Sequence, residues 1–202
     1  MKVIPGRIMK ITEGASRELE DLMRRFGRAR RRAYSLKWKG YWAPDIERIL
    51  VMETGLNLDY VRDAYYSIKH LPPHVTFGGR KNQKLRMEGK ISKEEYRKRR
   101  NSILVSRSRR NTLLDLDTMK LRINCSNGRF IYPKIYIPQS CLREYEPNFR
   151  FLPYTVIIKR VNNDMGYRLR FILNEADGRP INKIRGSGLE SQLSGWRRKV
   201  LL

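Results

Sequence analysis

A basic segment in the middle of the chain constrains most strongly what this protein can fold into. Residues 77–111 read FGGRKNQKLRMEGKISKEEYRKRRNSILVSRSRRN, with many lysines and arginines and few carboxylates. Such a segment cannot pack against itself without counterions, and a polyphosphate backbone is their natural source. The segment therefore favours contact with nucleic acid.

The excess of positive charge extends over the whole chain. The 44 Lys and Arg against 20 Asp and Glu give a formal net charge of +24 on 202 residues, and the pI is about 10.5. A pI this high is typical of nucleic-acid-binding domains. An anionic membrane surface, or a basic surface that is merely solvated, are the alternatives. Membrane attachment needs an apolar helix beside the basic segment or a lipidation signal, and the sequence shows neither.

Hydrophobic residues make up 40% of the chain, enough to bury a core. No apolar run approaches the roughly 20 residues that span a bilayer, and the first residues lack the apolar region of a signal peptide. We therefore expect a cytoplasmic protein. Cys125 and Cys141 lie too far apart for a CxxC clip, and we interpret both as small core residues.

The first part of the chain shows helical periodicity. From about Ala15, apolar residues recur at three- and four-residue spacing and predict a helix with one buried stripe. Arg24, Arg28 and Arg31 line another face of it. A single exposed arginine is usually only solvated, but the run RARRR at 28–32 favours phosphate contact.

Two further helices are predicted before residue 72. One has Pro44 in its first turn and stops at Gly55, and the next begins after Asn57, a good N-cap, and ends at the LPP of 71–73. Helices with single apolar faces can pack as a small bundle. We expect residues 12–71 to form this helical domain.

The basic segment has its own local signals. Residues His74 to Phe77 are predicted to form a short strand that runs into Gly78-Gly79. The SKEE of 92–95 is a capping box and predicts a helix from Lys93 to about Asn101. The charges of this helix lie on all its sides, so it has no apolar face to pack on the core. We therefore expect it to be held only weakly by its neighbours and to become fully ordered when nucleic acid binds.

From Met119 the period of the pattern changes to two. Residues 119–125 alternate between apolar and polar, which predicts a strand. The Asn-Gly of 127–128 indicates a hairpin turn, and residues 130–137 are predicted to form the second strand of the hairpin. A second hairpin joins 154–161 to 167–173. These strands predict an antiparallel sheet or small barrel, which residues 3–11 and 75–77 are expected to join.

Together these patterns predict an α+β fold, a small antiparallel β-barrel with an inserted bundle of three helices. The barrel comprises residues 1–11 and 74–176 and carries the basic segment 79–111. Glycines and prolines interrupt the polar residues 177–202, which are expected to form a loosely structured basic tail.

The residues that catalysis needs are scarce. His70 and His74 are the only histidines, and Leu71-Pro72-Pro73 between them interrupts any helix that would align them as metal ligands. The one close acidic pair, Asp115 and Asp117, lies beside the basic segment, where neutralising arginines is its expected role. The glycines of 78–79 do not belong to a phosphate-binding GxxxxGK[ST] loop. We expect no metal, no cofactor and no catalytic residue.

The order of elements and several motifs resemble a known family. The motifs are TGLNLDYVRDAYYSIK at 54–69, VTFGGRKN at 75–82 and GKISKEEYRKRRN at 89–101, followed by β-hairpins. Residues 1–176 resemble the N-terminal half of the OrfB/TnpB family, transposon-encoded RNA-guided DNA endonucleases related to the type V CRISPR effectors. The resemblance implies a wedge-like β-barrel and an inserted helical recognition lobe, which hold guide RNA and the guide–target duplex.

The sequence departs from that family after residue 174. Family members continue into a RuvC-like nuclease domain with three catalytic carboxylates, whereas here a glycine-rich stretch follows the Asn-Glu-Ala-Asp of 174–177. No catalytic residue can be carried over. This fits a truncated family member, a free-standing binding module, or a chain that acts with a nuclease subunit in trans.

We therefore expect a module that binds structured RNA or an RNA–DNA duplex through its backbone and does no chemistry itself. A structural RNA-binding protein of ribosomal type is the alternative. Aromatic residues 38–42 follow the arginine run and are diluted by polar residues, so Trp38, Tyr41 and Trp42 are expected to be exposed and to stack on bases. The expected phosphate contacts are Arg24, Arg28, Arg31, Arg32, Arg80, Lys81, Lys84, Arg97, Arg100, Arg107, Arg109 and Arg110.

Overall fold

The computed structural model of the protein describes residues 2–107, 109–161 and 166–173. In chain order the elements are β1 (Lys2–Lys10), α1 (Glu13–Trp38), α2 (Ala43–Thr54), α3 (Leu58–Tyr66), α4 (Arg80–Met87), α5 (Lys93–Arg100), β2 (Ile103–Ser106), β3 (Thr112–Asp115), β4 (Lys120–Asn124), β5 (Phe130–Ile131), β6 (Lys134–Tyr136), α6 (Gln139–Phe151), β7 (Tyr154–Arg160) and β8 (Tyr167–Leu173). The fold is mixed α+β, as predicted.

The strands form one antiparallel sheet that curls into a half-barrel. Their order is β2–β7–β8–β1–β6–β4–β3, and β5 pairs with β4. The strand from the start of the chain, β1, lies in the interior of the sheet between β8 and β6, with Arg7 opposite both Arg168 and Tyr136. Side chains alternate along β8 between buried and exposed positions, because successive residues of a strand point to opposite faces.

A helix is present at each of the three places where the sequence predicts one, although α1 begins at Glu13 and α3 ends at Tyr66, before the predicted stop at 71–73. The Thr12 hydroxyl accepts a hydrogen bond from the Ala15 N–H at the start of α1, and the Asn57 side chain accepts one from the Tyr60 N–H at the start of α3. Gly55 ends α2 in the left-handed conformation at φ 63°. The three helices pack on one another, and both α1 and α3 also contact β2.

A single continuous cluster of buried side chains runs from the helices to the sheet. On the helical side the rings of Phe26 and Tyr60 meet edge-to-face, with centroids 6.3 Å apart. On the sheet side Phe149 of α6 packs edge-on against Tyr154 and Phe171. Cys125 is buried in the same cluster, as expected, whereas Cys141 is partly buried and packs against it, and both are free thiols.

Both predicted hairpins are confirmed. In the first, the Cys125 N–H donates to the Arg129 carbonyl at 2.9 Å, and Gly128 supplies the positive φ that the turn requires. In the second, β7 and β8 pair in continuous register from Tyr154 opposite Leu173 to Arg160 opposite Tyr167. The connection at 162–165 and the predicted tail at 177–202 lie outside the described residues.

The prediction of a strand at residues 74–77 is wrong. This stretch consists of turns, and His74 has a φ of 64°, which no strand accommodates. The Tyr34 hydroxyl fixes the stretch on α1, since it donates to the Pro72 carbonyl and accepts from the Val75 N–H. The Val75 N–H, which could otherwise bond to a neighbouring strand, is therefore bonded to a side chain of α1.

Four elements were not predicted: α4, β2, β3 and α6. The first two lie inside the basic segment, so this segment is more regular than its charge suggests. Within the described ranges, no helix combines the length and the apolar character needed to cross a membrane.

Candidate nucleic-acid interface

Three of the predicted phosphate contacts share one exposed side of α1. Leu19, Leu22 and Phe26 bury the opposite side of this helix in the core. Arg24, Arg28 and Arg31 follow one another at four and three residues, and this spacing aligns them along the axis. The stripe continues to Trp38, two turns and about 10 Å beyond Arg31.

Helix α5 packs beside this stripe at Gly27. A Cβ added at Gly27 would overlap Oδ1 of Asn101, the residue that ends α5, so the glycine permits the close approach of the two helices. The same Oδ1 accepts a hydrogen bond from Arg31 Nη1 at 2.7 Å. The Ser92 hydroxyl caps the other end of α5 by accepting from the Glu95 N–H, as the capping box predicts.

The arginines of the two helices concentrate positive charge between them. The pKa of Arg31 is lowered to about 10, first by burial and then by the neighbouring positive charges of Arg100, Arg30 and Arg28. Repulsion among like charges in a partly desolvated place is the physical cause of the second effect. A polyanion would relieve this repulsion.

Next to these arginines, towards the start of α1, lies a cavity that carries both signs of charge. It has a volume of about 400 Å³ and is lined by Arg24 and Arg97 together with the carboxylates Glu20, Asp21 and Glu94. Each carboxylate has a partner: Asp21 binds Arg24, Glu20 lies 2.9 Å from Arg160, and Glu94 lies 3.0 Å from Lys98. Arg97 forms no ion pair with the described residues. We name the surface formed by Arg24, Arg28, Arg31, Arg97 and Arg100 the α1–α5 cleft.

Two glycines precede α4, and the first of them packs on α5, which brings the cations of α4 close to that helix. Gly78 has a φ of 93°, and a Cβ there would lie 3.2 Å from the Arg100 Cα, so both its conformation and its packing require glycine. Gly79 is the N-cap of α4. The Asn82 side chain then joins α4 to α5 by accepting a hydrogen bond from Arg99. Arg80, Lys81 and Lys84 are exposed on α4.

The other predicted phosphate contacts do not join this surface. Arg32 points to α2 and holds the Glu53 carboxylate with Nη2 at 2.9 Å. Arg107 pairs with the buried Asp63. Arg109 donates to the carbonyls of Phe149 and Leu152, and Arg110 is exposed nearby.

The aromatic residues at the α1–α2 turn are exposed, as expected. Trp42 is 75% exposed and Tyr41 48%. Trp38 lies edge-on to Tyr34, with the Lys37 ammonium 4.9 Å from its ring centroid. Exposed rings beside cations suit the stacking of unpaired bases.

The acidic pair of the sequence is engaged in local contacts. Asp115 accepts hydrogen bonds from the hydroxyl and the N–H of Thr118, which lower the pKa of its carboxyl, and Asp117 lies 2.9 Å from Arg150. Both carboxylates stabilise the turn after β3 and its contact with α6.

Cations on the exposed face of the sheet were missed in the sequence. They include Arg7, Lys10, Lys120, Lys134 and Arg168. The sequence does indicate that these cations are exposed, because they occupy the polar positions of strands with an alternating pattern. Only the pairing of the strands shows that they are neighbours. No protein-family model matches the chain, and a search of curated proteins finds no significant match.

Proposed function

We propose that this protein is a nucleic-acid-binding module that holds structured RNA or an RNA–DNA duplex by its backbone in the α1–α5 cleft. The observation that carries the proposal is the crowding of Arg28, Arg31 and Arg100, whose repulsion adds to the effect of burial in lowering the pKa of Arg31. The repulsion destabilises the free protein, and a bound polyphosphate would remove it by supplying negative charge.

The proposal extends to the architecture and the family. The curled sheet, with residues 1–11 and 74–176, is the wedge-like barrel, and α1, α2 and α3 of residues 12–71 are the recognition lobe. The resemblance of residues 54–101 to the OrfB/TnpB family supports this assignment. The module binds and does not cut, and cleavage, where it occurs, belongs to a nuclease subunit in trans.

The cleft is tested with a variant that removes two of its unpaired charges, Arg28 and Arg97, together with Arg80 of the neighbouring α4. Arg28, Arg80 and Arg97 are exposed and form no ion pair among the described residues, so Arg28→Gln/Arg80→Gln/Arg97→Gln leaves the fold intact. The control, Arg48→Gln/Arg62→Gln/Arg143→Gln, removes the same charge elsewhere. Binding of a 20-base-pair RNA duplex is measured by fluorescence anisotropy.

We expect the cleft variant to bind at least tenfold more weakly, whatever the duplex sequence, because phosphate contacts carry no sequence information. The salt slope should fall by about 3, and wild-type affinity should drop by roughly three to five decades between 50 and 200 mM salt for about 6–10 phosphates. An equal loss in the control variant would overturn the proposal. So would a flat salt dependence.

The natural partner is identified by sequencing RNA that co-purifies with the protein. RNA from the end of a mobile element supports the family assignment. Enrichment of ribosomal RNA within intact ribosomal particles would replace it with a structural ribosomal role.

A further inference from the structure

A row of cations crosses the exposed face of the sheet. Lys159 of β7 lies directly opposite Arg168 of β8, Arg168 opposite Arg7 of β1, and Arg7 opposite Tyr136 of β6. Residues in direct register point to the same face, so these side chains are lateral neighbours. The Arg7 guanidinium lies 5.2 Å from the centroid of the Tyr136 ring, which is 46% exposed.

A second row consists of three lysines that lead to one carboxylate. Lys134 of β6 lies opposite both Lys10 of β1 and Lys120 of β4, and Lys120 lies opposite Asp115 of β3. A β-bulge between Ile8 and Lys10 makes two residues of β1 oppose one of β6, and the extra residue returns Lys10 to the exposed face. Like charges in direct register destabilise a sheet, so the contacts of Lys134 with Lys10 and Lys120 do not stabilise the fold.

The lysine row borders an open cleft with aromatic walls. The cleft has a volume of about 660 Å³, and Phe130 and Tyr132, 43% and 56% exposed, contribute to its lining. Its carboxylate, Glu18, is already bound by Arg129 Nη1 at 2.7 Å. Across the part of the chain that the structure describes, none of the cations in the two rows forms an ion pair.

We infer that this face of the sheet is a second binding site, which takes a single-stranded polynucleotide. Cations in rows neutralise the phosphates, and the exposed rings beside them stack on unpaired bases, as on other single-strand-binding surfaces. Paired bases in a duplex are inaccessible to such rings. The site is separate from the α1–α5 cleft and does not depend on it.

The test uses fluorescein-labelled oligouridylate of 20 nucleotides, which forms no duplex. The sheet-face variant is Lys10→Gln/Lys120→Gln/Lys134→Gln, and its control, Lys39→Gln/Lys69→Gln/Lys90→Gln, removes the same charge outside the sheet. We expect the sheet-face variant to bind at least fivefold more weakly, with the salt slope lower by about 2, and the control to change less than twofold.

The cleft variant Arg28→Gln/Arg80→Gln/Arg97→Gln should retain oligouridylate binding while it loses the RNA duplex. This outcome separates the two sites, so failure of one proposal leaves the other standing. Tyr136→Leu should weaken oligouridylate binding about fivefold without changing the salt slope, because it removes a stacking ring and no charge.

Three results would overturn the inference. One is an equal loss of oligouridylate binding in the control variant, which would show a response to total charge. Another is a sheet-face variant that loses binding to vesicles with 20% phosphatidylserine but keeps oligouridylate binding, which would assign the face to a membrane. The third is a melting temperature lowered by more than about 5 °C, because removal of repelling lysines should leave it unchanged or raise it.

Discussion

Arg107 binds Asp63 through two donors, with Nε 2.7 Å from one carboxylate oxygen and the backbone N–H 2.9 Å from the other. Asp63 belongs to α3 and is buried, whereas Arg107 follows β2 and is partly exposed. The guanidinium also lies 3.9 Å from the centroid of the Tyr66 ring. This pair joins the helices to the sheet. Arg107, which was predicted to bind phosphate, is therefore engaged in an ion pair within the protein.

Substitution of Arg107 by Ala should lower the free energy of unfolding by about 2–4 kcal/mol, because it leaves the Asp63 carboxylate buried with a backbone donor but without its positively charged partner. Urea denaturation followed by circular dichroism measures the change. Arg143→Ala, on the exposed side of α6, is the control and should stay within about 0.5 kcal/mol of the wild type. Equal stabilities of the two variants would contradict the structural role of the pair.

The same carboxylate predicts a pH dependence. Burial raises the pKa of Asp63 above its usual value of 3.8, although the hydrogen bonds from Arg107 act in the opposite direction. The folded state therefore holds this proton more tightly than the unfolded state, so the contribution of Asp63 to stability falls as pH rises through this range.

The comparison is with Asp63→Asn, which does not titrate. The unfolding free energy of the wild type minus that of the variant should decrease as the pH rises above the ordinary carboxyl pKa of 3.8, and it should level off once the folded carboxyl is ionised as well. Other carboxyl groups cancel in this difference. A difference that grows with pH would mean that Arg107 outweighs burial and holds the pKa below its usual value.

Gly27 and Gly14 offer a matched pair of substitutions in α1. At Gly14 a Cβ meets nothing within 4 Å, so Gly14→Ala should stabilise the protein by up to about 1 kcal/mol through helix propensity. Gly27→Ala should not stabilise the protein in this way, because the new Cβ would overlap the Asn101 side chain. Asn101 would have to move, which breaks its hydrogen bond with Arg31. Urea denaturation compares the two, and duplex binding should weaken for Gly27→Ala alone. Equal gains in stability would show that α5 does not depend on this contact.

The purified protein should bind its RNA and a matching DNA in Mg²⁺ or Mn²⁺ and cut neither strand. Metal-assisted cleavage needs carboxylates that are free to hold the ion, whereas Asp115 and Asp117 are bound to Thr118 and Arg150. Gel electrophoresis of end-labelled strands measures the outcome. Cleavage that disappears in Asp115→Asn/Asp117→Asn would restore the enzyme hypothesis.

Local signals in the sequence predict the elements that have caps and periodic faces. Asn57, Gly55 and the Asn-Gly of 127–128 each fix a backbone geometry without help from distant residues. The strand β2 has no such signal. Its four residues lie in the basic segment and become a strand only by pairing with β7, where Leu104 lies opposite Ile158. Helix α6 contains Pro147, which argues against a helix in the sequence.

The candidate sites divide in the same way. The stripe of Arg24, Arg28 and Arg31 is visible in the sequence because helical spacing alone aligns it. The sequence does not show that Arg107 and Arg32 face carboxylates, because Asp63 and Glu53 belong to other elements. The lysine row of the sheet was missed for a related reason, since its register includes a bulge.

The interior position of β1 has a consequence for the order of folding. Its partners on β8 are among the last described residues, so the pairing of Arg7 with Arg168 closes a loop of most of the chain. Contacts so distant in sequence slow folding, because the entropy of loop closure is lost before the contacts form. During synthesis α1, α2 and α3 can assemble early, whereas the pairing of β1 with β8 can form only after β8 has left the ribosome. Until then the edge of β1 that faces β8 has no partner strand, and its backbone donors and acceptors are open to another chain.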